Sequence, residues 1–233
     1  AFLFLEKSKV IEKLFGYIVT YSYLILPILL LLTRTRKRDA KILAVYGIVF
    51  WSLLFFYKEI PKEFRKVAYQ PIYTSLEYLF FASLFYFNIE TKSFKRTIFI
   101  LSGVFLAFQV IYILALEKSR VDSISIGVES ILIFIYISLF FLENLSNARG
   151  EHIYSNHCFW ISAGLLFYLG GSFFINILAS SFSDVEFTKY FYLNYVADTV
   201  KTILFAVAFI LLVKKSKNKS NQRTSHIPYL DMV

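Results

Sequence analysis

Apolar residues run through this chain in seven stretches of 16 to 23 residues, separated by short polar segments: Leu14–Leu32, Ile42–Tyr57, Ile72–Phe87, Thr97–Leu116, Ile124–Leu142, Cys158–Leu178 and Phe191–Val213. Roughly 20 residues of helix at ~1.5 Å rise cross a ~30 Å hydrocarbon core, so each stretch predicts a membrane-spanning helix. The connections are brief, which predicts antiparallel neighbours. The expected fold is therefore an all-α integral membrane protein, a seven-transmembrane-helix bundle forming one domain over residues 1–213, followed by a basic tail over 214–233. Pro71 suits the first turn of the third span, where its missing N–H costs nothing, whereas Pro27 lies inside the first and predicts a kink. Tyr and Trp crowd the span ends (Tyr17, Trp51, Tyr57, Tyr73, Tyr112, Trp160, Tyr190, Tyr192), where an amphipathic ring meets the headgroups.

Composition agrees: 58% of the 233 residues are hydrophobic and the mean hydropathy is +0.60. Once the spans are removed, no soluble catalytic or nucleic-acid-reading domain fits in what is left. The net charge of +9 comes from short basic blocks flanking the spans, a pattern that suits insertion and anionic headgroups rather than nucleic acid. The segments after spans one, three, five and seven hold 14 Lys and Arg against 10 on the other side. That bias predicts a cytoplasmic C-terminus and an external N-terminus. Ala1–Leu5 is too short for the apolar core of a secretory signal, so no cleaved leader is expected, and a few residues are expected upstream.

Four ionisable residues interrupt the apolar runs: Glu77, Glu129, Asp198 and Lys201. Each costs at least ~2.5–3.5 kcal/mol in hydrocarbon, so such groups face the bundle interior and mark a candidate site. The third, fifth and seventh spans all enter from one side. Glu77 and Glu129 then lie five residues below that boundary, Asp198 seven and Lys201 ten. Asn176, two residues from the end of the oppositely directed sixth span, and Gln109 on the fourth fall in the same leaflet. Parity of the helix count alone places them there. Along the seventh span Asn194, Asp198, Lys201 and Phe205 line one helical face, and Asp198 and Lys201, three apart, can pair. Glu77, Glu129, Asn176, Asn194, Asp198 and Lys201 are the expected ligand-binding residues of an outward-facing acidic pocket for a proton, a cation or an amine-bearing molecule. Two blander alternatives stay open: an Asp198–Lys201 pair that only fixes packing, and glutamates that snorkel to the headgroups. Gly164, Gly170 and Gly171, with Ser162 and Ala163, give the sixth span a small-residue face for close helix approach.

Enzymatic chemistry is not expected. His152, His157 and His226 lie outside the spans, so no intramembrane zinc centre or His-activated nucleophile can be assembled, and Cys158 is the sole cysteine. No metal and no cofactor are expected.

From Glu129 onward the chain resembles a group of standalone bacterial seven-helix membrane proteins related to the membrane modules that precede sensor histidine kinases. The resemblance is carried by Val128–Leu142, Asn156–Leu178 and Val200–Phe209, and in the sixth span by Asn156, Phe159, Trp160, Gly164, Tyr168 and Gly170. His157 departs from it, standing where that group usually has Pro. The resemblance implies a sensory or receptor-like component that signals through a partner, such as a histidine kinase. A second pattern, a mid-span lysine in the seventh helix with an acid one turn earlier, is similar to the microbial rhodopsins and implies retinal on Lys201 as an alternative. A small-solute transporter, or an accessory subunit of a larger membrane complex, is a further alternative.

Overall fold

The computed structural model describes residues 14–61, 64, 69–115, 123–146, 153–178 and 184–225, with the backbone alone at 58, 115, 123, 173–178, 184–192 and 215–225. Among these residues seven long helices account for nearly all regular structure, and there is no strand. They are α1 (Leu14–Thr33), α2 (Arg38–Phe55), α3 (Gln70–Asn88), α4 (Lys92–Ala115), α5 (Ser123–Ser146), α6 (His157–Leu178) and α7 (Asp184–Ser225). Helix is the form that satisfies every backbone N–H and C=O within its own segment, the requirement hydrocarbon imposes.

Four stretches are long and apolar enough to cross a bilayer: Leu14–Thr33, Lys92–Leu114, Ile124–Ser146 and Leu193–Lys214. The chain is thus a multi-pass membrane protein. Two other helices are weaker candidates for visible reasons: α2 opens on Arg38, Asp39 and Lys41, and α3 carries Gln70, Glu77 and Asn88 besides three tyrosines.

Pro27 acts as predicted. α1 breaks into a turn at Tyr23–Leu24, one turn before the proline, and Leu24 N–H reaches back to the Tyr21 carbonyl at 3.1 Å. A proline has no N–H to give the carbonyl four residues earlier and its ring crowds that group, here Tyr23. α1 ends at Arg34 in the left-handed conformation (φ 47°), its N–H capping Leu30. Pro71 occupies the first turn of α3.

Connections at one end of the bundle are tied together by polar contacts. The Glu143 carboxylate at the end of α5 accepts the N–H of Glu90 and of Thr91, together with the Thr91 hydroxyl, and so clamps the α3–α4 turn. Arg38 donates to the Phe87 carbonyl at 3.2 Å and lies over the Phe87 ring. Asn156 caps α6, its Oδ1 accepting the Cys158 N–H, which leaves His157 free to meet Asp39 of α2 at 3.1 Å. His157 therefore ties α6 to α2.

Burial tends to raise the Asp39 carboxyl, but the hydrogen bond and charge of His157 and the charge of Arg38 outweigh it and hold that carboxyl below its ordinary value. A depressed carboxyl stabilises the fold fully above its unfolded value of ~3.9 and loses that contribution as pH falls through the folded value. Thermal melts in detergent should therefore show wild type losing stability below about pH 4, with Asp39→Asn flattening that acid limb. An unchanged limb in the variant would place the acid sensitivity elsewhere.

The helices alternate in direction. Gly164 faces Leu204 and Phe205 while Gly171 faces Ala197, so α6 and α7 run antiparallel through the most extensive contact in the bundle. α1 packs on α2 and α7, α2 on α3 and α7, and α5 on α3 and α6, whereas α4 packs mainly on α3 and α5. The core is aromatic at its centre, where Tyr23, Tyr46, Phe50, Phe81 and Phe205 are fully buried.

Candidate functional site

Lys201 is 0% exposed, and its ammonium group is the hub of a polar cluster at the centre of that aromatic core. Nζ lies 2.5 Å from Asp198 Oδ1, 3.0 Å from Glu77 Oε1 and 3.2 Å from the Tyr23 hydroxyl. Three donors meet three acceptors. The Tyr23 hydroxyl donates in turn to Asp198, at 2.9 and 3.0 Å from its two oxygens. Tyr46 donates to Glu77 Oε1 at 3.1 Å and Tyr168 to Glu77 Oε2 at 3.0 Å. The Tyr168 ring also stacks against the cation, with Nζ 3.6 Å from its centre. Charge-assisted hydrogen bonds of this kind are what make a buried ion tolerable.

Five helices supply these groups: Tyr23 from the break in α1, Tyr46 from mid-α2, Glu77 from α3, Tyr168 from α6, and Asp198 with Lys201 from α7. The intrahelical Asp198–Lys201 pair forms as its spacing predicted. It is not a closed pair, however, because Lys201 bridges both carboxylates. One ammonium against two carboxylates leaves the cluster one negative charge in excess if all three are ionised.

Glu129 completes the set from α5. It is buried, within reach of the charges of Glu77 and Lys201, and its Oε1 has no hydrogen-bond partner. Further out on the same side, Gln109 of α4 donates to Ser125 of α5 at 2.5 Å, its own Oε1 unpartnered. Asn194, one turn before Asp198, also has a buried Oδ1 without a partner. Asn176 lies where the backbone alone is described, so its expected role falls outside the described side chains.

Sequence reasoning missed the three tyrosines as partners of the charges. A signal existed for two of them, since Tyr23 and Tyr168 sit mid-span in Leu14–Leu32 and Cys158–Leu178, away from the headgroup level. The expected outward-opening pocket takes a different form here. Glu77, Glu129, Asp198 and Lys201 are each at most 7% exposed, and neighbouring side chains hydrogen-bond Glu77, Asp198 and Lys201.

The surroundings of Lys201 do not fit a retinal. All three N–H bonds of Nζ are directed at oxygens, the Tyr168 ring covers one side, and Tyr23, Tyr46 and Phe81 close around the amine with ring centres 5.5–5.9 Å away. A polyene chain attached to this nitrogen would have to displace that aromatic shell. Among the described residues no group of three or more His, Cys, Asp or Glu side chains is placed to hold a metal ion. No known family model, curated protein or solved structure matches the chain.

Proposed function

We propose that the protein is a sensory, receptor-like component of a bacterial inner membrane, with seven spans, an external N-terminus and a cytoplasmic C-terminus, whose input is the protonation of its buried carboxylate cluster. The observation that carries this reading is the Glu129 oxygen left without a partner beside Glu77 and Lys201. A carboxylate in that place is costly, and a proton on it removes the charge.

An amine-bearing ligand is the weaker candidate input, because Lys201 already stands where such an amine would bind. A proton needs no cavity. Its arrival or departure at Glu129 changes the balance of charge around Lys201, which is held by both α3 and α7. Proton release adds a negative charge that draws the ammonium toward α5, and proton uptake returns it to Glu77 and Asp198. Two arrangements of one network, biased by occupancy, constitute a switch. The helix that carries Asp198 and Lys201 continues as one piece to Ser225, which offers a cytoplasmic partner, such as a histidine kinase, a surface to read.

Spin labels test the switch. With Cys158→Ala, and Leu145→Cys and Lys214→Cys as label sites, the distance between α5 and α7 should shift between acid and alkaline samples, and Glu129→Gln should lock it near the acid-side value. Infrared difference spectra across the same range should lose the carbonyl band of a protonated carboxylic acid in Glu129→Gln. Identical distances for wild type and variant at every pH would refute the proposal.

A further inference from the structure

A second charged feature lies away from the central cluster, where α3 ends and α4 begins. Tyr86, Lys92, Lys95, Arg96 and Phe99 line a groove of about 410 Å³. Lys92, Lys95 and Arg96 are spaced three and four residues apart on one face of α4, and Phe99 continues that face by another turn.

This arrangement is electrostatically unfavourable on its own. Like charges at helical spacing repel, and the amino-terminal end of a helix carries a partial positive charge that disfavours cations. α4 has no acidic residue in its first turn. Among the described residues none of the three cations makes an ion pair. Glu143, the acid buried at this end of the bundle, gives its carboxylate to the backbone of Glu90 and Thr91. Lys95 lies 5.7 Å over the Tyr86 ring, a contact that orients the ammonium without neutralising it. The groove is thus a cationic rim over an aromatic floor, and it lacks an anion.

Its position identifies the occupant. α4 is the least covered by the bundle of the four most apolar spans, and Phe99 and Ile100, 73% and 52% exposed, carry its apolar surface directly on from the groove. Cationic and apolar parts follow one another along the helix in the order in which a phospholipid presents its phosphate and its acyl chains. We propose that this groove is a binding site for an anionic phospholipid, with its phosphate among Lys92, Lys95 and Arg96 and an acyl chain along Phe99 and the exposed face of α4.

Native mass spectrometry of the full-length protein, released from bilayers of mixed phosphatidylglycerol and phosphatidylcholine, tests the site. Wild type should retain phosphatidylglycerol preferentially. A cation near a headgroup is worth about 1 kcal/mol, roughly fivefold in affinity, so K92Q/K95Q/R96Q should lose on the order of 100-fold in preference. The control R34Q/R36Q/K37Q removes the same charge elsewhere and should keep the preference. Both variants are carried forward with elution profiles and melting curves like those of wild type. Soluble glycerol phosphate should not displace the retained lipid, because it lacks the acyl chain that apolar contact with Phe99 requires. Equal loss in the control, retained preference in K92Q/K95Q/R96Q, or displacement by glycerol phosphate would each overturn the proposal.

Discussion

Lys201→Met should be the most damaging single substitution in the chain, lowering stability by about 3–5 kcal/mol, the cost of stripping the partner from buried opposite charges. The variant leaves Asp198 and Glu77 facing each other across an apolar side chain, with only tyrosine hydroxyls to satisfy them. Thermal unfolding in detergent, followed by the loss of the monodisperse elution peak, measures the effect. The triple variant Lys201→Met, Asp198→Asn, Glu77→Gln should recover more than half of the loss, since it removes the charges as well as their partner. Such a rescue separates an electrostatic penalty from a simple loss of lysine packing. If the triple variant melted no higher than the single one, the charges would not be what Lys201 holds in place.

Gly47→Ala should be the next largest, at about 1–3 kcal/mol, the range for forcing a methyl into a packed interior. A Cβ at Gly47 would lie 2.5 Å from the Tyr23 carbonyl oxygen and 2.9 Å from Cδ of Pro27. Neither can yield easily: the carbonyl belongs to the break in α1 and the ring to the proline that causes it. α1 would have to move away from α2, taking with it the hydroxyl that bonds Asp198 and Lys201. Gly170→Ala is the matched control, since nothing lies within 4 Å of its added Cβ, and it should fall within about 0.5 kcal/mol of wild type. Paired melts of the two variants check the contrast, and equal stabilities would show that the α1–α2 contact is loose.

Long apolar runs were enough to read seven helices, because in hydrocarbon few other backbone forms are open to them. The alternation of direction was also enough to bring Glu77, Glu129, Asp198 and Lys201 to a common depth, and three of the four are in direct contact. Helix ends were less legible. α7 starts at Asp184 rather than Phe191 and runs through the expected tail to Ser225, since polar residues such as Glu186, Lys189 and Lys214 are good helix formers that hydropathy alone excludes. The predicted boundary at residue 213 is therefore not a break in the chain's structure. Tyr46 was the least legible of the three tyrosine partners, because near the start of its predicted span it reads as an interface anchor until its facing is known. Gly47 gave no signal at all, its role depending on a carbonyl 24 residues earlier in the chain.

Between Lys201 and Ser225 the chain contains neither glycine nor proline, and α7 passes through that interval unbroken. At ~1.5 Å per residue this is a rod of about 36 Å. A helix without a flexible joint twists as a unit, so any turn about its axis at the ammonium reappears at the far end with little slack. Its last turns, out to Ser225, are thereby geared to the charges inside.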